Sequence, residues 1–343
     1  MKTQHHRSRV GATLLVLFLL SLPAAAQISD VYVLPAMGNT PGAGGTFWVN
    51  DFHVMNPQSY PLTVSLTYIP TGFGQARTFS IIVEPNETQW AENILEQFED
   101  PDAPGDMANK TGSLLVWVDP DANPTVPDDP ARLGVVVQSR SFNERSTGTV
   151  GQGVPGVIIG LVDYDLDDPG ISAIATGVSD WGAAGVEGFR TNVGGVNLSD
   201  SSTTLWVSVI NDEGFEISRR AFTLNPGTHY QERLPTTVEH GTLEFWVQFP
   251  ADYDPDFSDL VIPYASVVDN RTGDPTYLNP TLLASPSVFW GSAKQGASTR
   301  ATPTRITAEA IRGLVARSEN LGAAHAVAAA GGKSRLVGPG RTE

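Results

Sequence analysis

The sequence predicts an all-β protein with two tandem immunoglobulin-like β-sandwiches and a flexible C-terminal tail that contains one candidate short helix. Three observations lead to this fold class. Short runs alternate between apolar and polar residues, as strands with one buried face do. Turns rich in Gly, Pro, Asn and Asp separate these runs at a spacing typical of sandwiches. The block 33–89 recurs as 174–230 without a gap in the alignment, which indicates two copies of one domain.

The first copy begins the series of predicted strands. Residues 62–69 alternate best, because every second residue from Leu62 to Tyr68 is apolar. That pattern predicts a half-buried strand. We predict a short helix at 90–98, followed by a polar insertion at 99–109. The predicted strands of this copy are residues 30–34, 46–55, 62–69, 78–83, 113–118 and 134–142.

The second copy repeats the same order of elements. Its predicted strands are residues 188–196, 203–210, 220–224, 242–249 and 260–268. Gly112 and Gly241 each open a strand that contains a tryptophan, so Trp117 matches Trp246. The difference in residue number between aligned positions is smaller at these strands than over the preceding block, because the second copy lacks the insertion that the first copy has at 99–109. Both tryptophans lie in apolar strands, and we expect both to be core residues.

We predict four segments along the chain. Residues 1–26 are a signal peptide, 27–155 the first β-sandwich domain and 156–280 the second. Residues 281–343 form a basic low-complexity tail that we expect to be largely disordered. A pattern of apolar residues within 307–321 predicts one helix in this tail.

The predicted signal peptide sets the expected location of the protein. A charged start, an apolar run at 12–20 and the sequence Ala24-Ala25-Ala26 are typical of a secretory signal with its cleavage site. We therefore expect a secreted protein, extracellular or on the cell surface, with the periplasm as an alternative. The apolar run is too short to span a membrane, and no later run reaches 18 apolar residues. No membrane span is expected in the mature chain.

Charge and cysteine content exclude several classes of site and partner. The chain has no cysteine, which excludes disulfides, thiolate metal sites and a lipid-anchoring cysteine. The chain carries a formal charge of −16, residues 1–26 carry +3 and residues 281–343 carry +5, which leaves −24 for residues 27–280. An acidic body repels phosphate backbones, so no nucleic-acid partner is expected. The opposite charges also suggest the hypothesis that the tail contacts the body.

Acidic loops are the candidate metal sites. Alternating Asp residues in a loop bring together several of the oxygen ligands that Ca²⁺ prefers. The run from Asp163 departs from an EF-hand, because Asp168 stands at the glycine position and Ile174 at the glutamate position. Solvated Asp-Pro turns are the alternative interpretation. Calcium is the one candidate cofactor, and its candidate ligands are Asp163, Asp165, Asp167, Asp168, Asp252, Asp254 and Asp256.

Aromatic residues near loops are the candidate ligand-binding residues. Trp90 and Trp181 lie beside predicted turns, where exposure is expected. Exposed aromatic rings in a secreted protein can bind a sugar, which makes a polysaccharide a candidate partner. The alternative is that both rings pack in turns or in the core.

Catalytic signatures are scarce. The sequence contains no G-x-S-x-G or H-E-x-x-H motif, no P-loop and no dinucleotide fingerprint. His53, His229 and His240 stand apart from metal-like partners in the sequence. We therefore predict that the protein is not an enzyme.

Several short stretches resemble a known kind of protein. They are Val33-Leu34-Pro35-Ala36, Gly44-Gly45-Thr46-Phe47-Trp48, Asn56-Pro57 and the closing Asp269-Asn270-Arg271-Thr272-Gly273-Asp274-Pro275. Together they resemble uncharacterised secreted bacterial proteins with tandem immunoglobulin-like sandwiches. The resemblance covers about residues 30–280, and it implies a fold but no activity.

These observations favour a structural or adhesive role over two alternatives. We expect an exported interaction protein of the bacterial cell surface or extracellular space, stabilised by calcium, with an extracellular protein as its partner. The first alternative is a carbohydrate-binding module, which predicts coplanar exposed aromatic rings. The second is a secreted hydrolase, which predicts a deep pocket with perturbed carboxylates.

Overall fold

The computed structural model of the chain describes residues 28–42, 45–72, 74–127, 129–145, 148–158, 171–183, 185–234, 236–250, 260–284, 311–313 and 316. The first nine strands are β1 (Val31–Pro41), β2 (Phe47–Met55), β3 (Leu62–Pro70), β4 (Arg77–Val83), β5 (Thr88–Ala91), β6 (Lys110–Trp117), β7 (Val136–Arg145), β8 (Gly148–Val154) and β9 (Val157–Ile158). The next nine are β10 (Ile171–Gly182), β11 (Gly188–Asn197), β12 (Thr203–Ile210), β13 (Glu216–Leu224), β14 (Thr228–Arg233), β15 (Val238–Gln248), β16 (Val261–Asp269), β17 (Pro275–Leu278) and β18 (Thr281–Ala284).

The two sets of strands have the same topology. The first set forms an antiparallel sheet in the order β4-β3-β6-β1-β2-β7-β8, with β5 on β2 and β9 on β1. The second forms a sheet in the order β13-β12-β15-β10-β11-β16-β17, with β14 on β11 and β18 on β10. Each strand of the first set therefore has a counterpart nine strands later. The predicted all-β fold with two sandwiches is confirmed.

Each sheet folds over on itself at one narrow joint. β1 pairs with β6 along most of its length but with β2 only at Thr40↔Trp48 and Pro41↔Phe47. The second sheet has its joint at Trp181↔Phe189 and Gly182↔Gly188, at the positions that the sequence repeat aligns with the first joint. We call the two layers of the first sandwich the β6 layer (β4-β3-β6-β1-β9) and the β2 layer (β5-β2-β7-β8). Their counterparts are the β15 layer (β13-β12-β15-β10-β18) and the β11 layer (β14-β11-β16-β17).

The core of the first sandwich lies between its two layers. Leu62, Val64 and Leu66 of β3 are fully buried in one apolar cluster with Phe52 and Val54 of β2. This confirms the strand and its inward face, which the alternation predicts. Burial of such side chains is the main favourable term for a chain without disulfides.

The opposite face of β3 is buried as well. Ser65 is 6% exposed and Thr67 is fully buried, so the prediction of a half-buried strand is wrong. The reason is that β1, β3 and β6 lie against β11, β14 and β16 of the second sandwich. Alternation shows which face is polar, but it does not show what covers that face.

One predicted helix begins as a strand. Residues 88–91 form β5, which pairs with the edge of β2, and a 3-10 helix begins only at Ile94 and ends at Phe98. The predicted helix at 90–98 is therefore wrong at its start. Asn93 is the N-cap of the 3-10 helix, but its side chain makes no capping hydrogen bond to the helix backbone; its Nδ2 donates to Oε1 of Glu96 at 2.9 Å. Trp90 lies in β5 and therefore not in a helix.

A buried asparagine closes the end of β2. Asn56 is fully buried, and its Nδ2 donates to the carbonyl oxygens of Tyr60 at 2.8 Å and Val83 at 2.9 Å. Its Oδ1 accepts the backbone N–H of Gln58 at 2.9 Å. The amide thus ties together three segments of backbone that would otherwise bury unpaired polar groups.

The second sandwich repeats this arrangement at the aligned positions. Nδ2 of Asn197 donates to the carbonyl oxygens of Ser201 at 2.8 Å and Leu224 at 3.0 Å. Its Oδ1 accepts the backbone N–H of Ser199 at 2.9 Å. All four residues stand where the gapless alignment of the two copies places them, so the repeat extends to single hydrogen bonds.

The C-terminal tail reaches the first sandwich. Residues 311–313 and 316 are helical, inside the segment for which a helix is predicted. Arg312 binds the carboxylate of Asp119 through Nη2 at 2.5 Å and Nε at 3.2 Å, and it lies 2.8 Å from that of Asp121. The hypothesis that the basic tail contacts the acidic body is confirmed at this arginine. In the described part of the chain, no helix has the length and apolar character needed to cross a membrane.

Candidate interaction surfaces

The candidate calcium ligands cannot be placed. Asp163, Asp165, Asp167, Asp168, Asp252, Asp254 and Asp256 all lie outside the described residues. Within the residues that the structure describes, no group of three or more His, Asp or Glu is arranged to hold a metal ion. Calcium binding by the acidic loops stays a prediction.

Trp90 is the more exposed of the two predicted ligand-binding aromatics. Its side chain is 41% exposed, as expected from the sequence. β5 places Trp90 directly opposite His53 on β2, and their rings stack with centroids 6.3 Å apart at an interplanar angle of 15°. Pairing to β2 therefore holds a large flat ring on the outer face of the β2 layer.

An arginine is fixed beside this aromatic pair. Arg140 on β7 lies opposite Asp51 on β2, and its Nε donates to the Asp51 carboxylate at 3.1 Å. The backbone N–H of Arg140 donates to the other Asp51 oxygen at 2.7 Å. The guanidinium lies 4.5 Å from the ring centre of Phe142, within cation–π range. We call these five residues, His53, Asp51, Trp90, Arg140 and Phe142, the Trp90 surface. Phe142 is itself buried, and the exposed members are His53, Trp90 and Arg140.

Trp181 belongs to a different place. It lies at the joint between the two layers of the second sandwich, opposite Phe189. The two rings meet edge to face, with centroids 6.2 Å apart at 67°. Trp181 is half-buried, and it lies in the second sheet while Trp90 lies in the first. The structure therefore does not combine the two predicted residues into one platform.

A second aromatic surface was missed by the sequence analysis. Trp206 on β12 lies opposite Trp246 on β15, and both side chains are half-buried. Their rings are nearly parallel, with an interplanar angle of 4° and centroids 5.8 Å apart. The expectation that Trp246 is a core residue is wrong. The alternation of 203–210 carried the signal, because Trp206 falls between Thr204 and Ser208 on the polar face.

Polar side chains surround this second pair. The Trp206 indole N–H donates to Oε1 of Gln248 at 3.1 Å, and the guanidinium of Arg219 lies 5.2 Å from the Trp246 ring centre. Arg219 is also paired with Glu216 at 2.5 Å. Ile174 of β10 is half-buried on the same face. We call Ile174, Trp206, Arg219, Trp246 and Gln248 the Trp206 surface.

The contact between the sandwiches contains the buried histidine. The Tyr264 hydroxyl donates to Oε1 of Gln231 at 2.7 Å, so it accepts the Nε2–H of His229 at 2.8 Å. Nδ1 of His229 then accepts the Thr71 hydroxyl of the first sandwich at 2.7 Å. The backbone N–H of Gly72 donates to the His229 carbonyl oxygen at 2.9 Å. This chain of hydrogen bonds joins β14 to the end of β3.

Burial fixes the protonation of this network. It lowers the pKa of His229 to about 3 and raises the pKa of Tyr264. Desolvation disfavours the charged form of each group, so both rings are neutral at neutral pH. A fully enclosed neutral histidine links the sandwiches and does not present a base to a ligand.

No protein-family model matches the chain, and no curated protein matches it in sequence.

Proposed function

We propose that this chain is an exported, non-enzymatic structural or adhesive interaction protein of the bacterial cell surface or extracellular space. The Trp90 surface is the observation that carries the proposal. Trp and Arg are the side chains that contribute most to binding energy at protein interfaces. Here an exposed Trp90 is held against His53, and Arg140 is held by Asp51, so both anchors are ordered before a partner binds. Such preorganisation lowers the entropy lost on association.

Two parts of the proposal, export and the lack of catalytic activity, rest on the sequence. The signal-like segment at 1–26 supports export, and the lack of catalytic motifs supports a binding role. The partner that we propose is an extracellular protein.

A binding panel tests this function. The purified protein is applied to surfaces coated with extracellular proteins and to insoluble polysaccharides, beside the variant Trp90→Ala. Retention on a protein-coated surface that the variant loses supports the proposal. The matched control is Val186→Ala, which removes another exposed apolar side chain, 60% exposed in the turn between β10 and β11. The proposed function would be contradicted if the wild type and Trp90→Ala were retained equally on every surface.

Carbohydrate binding is the second candidate, because the Trp206 and Trp246 rings are nearly parallel on an outer sheet face. This candidate predicts retention on one of the polysaccharides in the same panel, with loss of retention in Trp206→Ala. Release of soluble sugar from that polysaccharide would instead indicate the third possibility, a hydrolase.

Calcium stabilisation is the part of the proposal that the acidic loops support. A ligand that binds only the folded state adds about 2.7 kcal/mol at 100 times its dissociation constant. Thermal melts with Ca²⁺ and then with EDTA should differ by several degrees. Identical melting temperatures would leave the acidic loops as solvated turns.

A further inference from the structure

The contact between the two sandwiches uses two different faces. The first sandwich contributes the outer face of its β6 layer together with strand β8, and the second contributes the outer face of its β11 layer, including β17. Gln152 of β8 lies opposite Ser141, so its side chain is not on the face that carries Arg140. Because the sandwiches share one strand order, each has a copy of both faces. The internal contact therefore uses one copy of each face. The other two copies are the outer face of the β15 layer and the outer face of the β2 layer.

Among the described residues, the first face that the internal contact does not use is the Trp206 surface. Strand register identifies its counterpart, since Ser65↔Trp117 in the first sandwich corresponds to Trp206↔Trp246 in the second. In the first sandwich Trp117 is 5% exposed and belongs to the apolar cluster that continues into the second sandwich. In the second sandwich Trp246 is half-buried. The same position thus carries a tryptophan twice, and only the copy inside the internal contact is fully enclosed.

The second unused face is the Trp90 surface. Asp51↔Arg140 on the first sandwich corresponds to Asn192↔Ser266 on the second. Ser266 makes two hydrogen bonds to Gln152 of the first sandwich, at 3.1 and 3.2 Å. Its counterpart Arg140 is exposed. The face that docks in the second sandwich is therefore open to solvent in the first, where it presents an aromatic pair and a guanidinium.

We propose that the partner of the Trp90 surface is a second copy of this chain. The Trp90 surface of one copy docks on the Trp206 surface of the next, so that a β2 layer meets a β15 layer as the β11 layer meets the β6 layer within the chain. The β8–β17 contact is not repeated, because both strands already meet inside each copy. This inference rests on the proposed interaction function and names its partner. Each surface brings exposed aromatic area to the contact. Arg140 and Arg219 each have a carboxylate partner on their own surface, Asp51 and Glu216, so docking leaves neither charge unpaired.

The geometry determines the kind of assembly. The two surfaces are different, so the contact is heterologous and each added copy presents a new free surface. Copies that join in this way form open chains, or rings if the rotation closes. A symmetric two-fold dimer is not expected.

Sedimentation velocity of the purified full chain over a range of concentrations tests the inference. The wild type should form species larger than a dimer as concentration rises. Trp90→Ala and Trp206→Ala should each weaken association at least about tenfold, because loss of a central tryptophan anchor has an effect of that size. Val186→Ala should associate like the wild type. Near-UV circular dichroism of each variant checks that the fold is retained.

Mixing the two variants gives the decisive result. Trp90→Ala keeps its Trp206 surface, and Trp206→Ala keeps its Trp90 surface, so an equimolar mixture should form dimers and nothing larger. A wild type that stays monomeric at about 100 µM, above the micromolar range of weak interfaces, would overturn the inference. Association that Trp90→Ala abolishes and Trp206→Ala leaves intact would also overturn it. The binding panel is a separate test, so the interaction function stands or falls independently of self-association.

Discussion

Single buried polar residues hold the two sandwiches in their shape. Asn56 and Asn197 make the same three hydrogen bonds in their own sandwiches, and both are fully buried. Removing a buried amide leaves its partners unsatisfied in a medium that cannot solvate them. The two copies share few identical residues, but they share these hydrogen bonds. In each copy an asparagine at the end of β2 or β11 fixes the conformation of the backbone around it.

The first prediction concerns these asparagines. Asn56→Ala and Asn197→Ala should each lower the free energy of unfolding by about 3 kcal/mol, since each leaves three hydrogen-bond partners unpaired, of which at least one is buried. Urea unfolding of the two variants measures the change. The two losses should agree within about 1 kcal/mol, because the environments match. A loss below about 1 kcal/mol at either site would show that the amide is not needed there.

The second prediction concerns His229 and pH. Its pKa is about 3 in the folded chain and about 6.5 when unfolded, so below pH 6.5 the unfolded state binds a proton that the folded state does not. The contribution of neutral His229 to the free energy of unfolding is fully present above pH 6.5, and it decreases as the pH falls towards 3. At pH 5 the loss should be about 2 kcal/mol relative to pH 7.

The variant His229→Gln isolates this effect, because glutamine does not titrate. Urea unfolding at pH 7 and pH 5 should show a smaller loss in the variant than in the wild type, by about 2 kcal/mol. Equal losses in both proteins would mean that His229 is not held neutral by the contact between the sandwiches.

Strands and their pairing set which faces meet. Most strands were predictable, because the alternation of apolar and polar residues and the turn residues between strands can be read from the local sequence. β5 was not predicted, because its pairing with the edge of β2 depends on a distant strand that the local sequence does not show. The strands β8, β9, β10, β14, β17 and β18 were not predicted either. Trp90 was nevertheless predicted to be exposed, since a position beside a turn is a local signal too.

Glycine positions test the close packing of strands. An ideal Cβ on Gly194 of β11 would lie 2.6 Å from the Tyr264 ring and 2.6 Å from the Tyr230 carbonyl oxygen. Gly194→Ala should therefore cost about 1–3 kcal/mol of stability through overpacking. Gly153 of β8 is the matched control, because its Cβ would meet no atom within 4 Å. Gly153→Ala should change stability by less than about 0.5 kcal/mol. Similar effects of the two substitutions on thermal unfolding would contradict the described packing of Tyr264.

At the scale of the whole molecule, opposite charges fasten the tail to the first sandwich. Arg312 lies on the carboxylates of Asp119 and Asp121, but more than a third of its side chain is exposed, which weakens the pair. Arg312→Ala should lower stability by at most about 1 kcal/mol at low salt, and the difference from wild type should vanish in about 1 M salt, where charges are screened. Thermal melts at both salt concentrations measure this. A salt-independent difference would show that Arg312 acts through packing.

The way in which the two sandwiches pack against each other could not be predicted from the sequence. The repeat predicted two similar domains, and the charge difference suggested the tail contact. Neither signal shows which outer face of one domain meets the other. Trp117 and Trp246 illustrate the limit, because both occupy matching apolar strands and were expected to be core. Only the copy that lies between the sandwiches is buried, and the other is half-buried on an outer face.

The central claim is that the unused faces of this repeat bind each other between copies. The most direct measurement places a photo-crosslinking phenylalanine at Gln138, which is exposed on β7 opposite His53 and leaves Trp90 in place, and maps the crosslinked residues by mass spectrometry. Copies labelled with heavy isotopes, mixed with unlabelled copies, distinguish contacts between chains from contacts within one chain. The account predicts crosslinks between chains to β12 and β15 around Trp206 and Trp246. Crosslinks between chains to β2 or β5 of the second copy, or no crosslinks between chains at all, would contradict it.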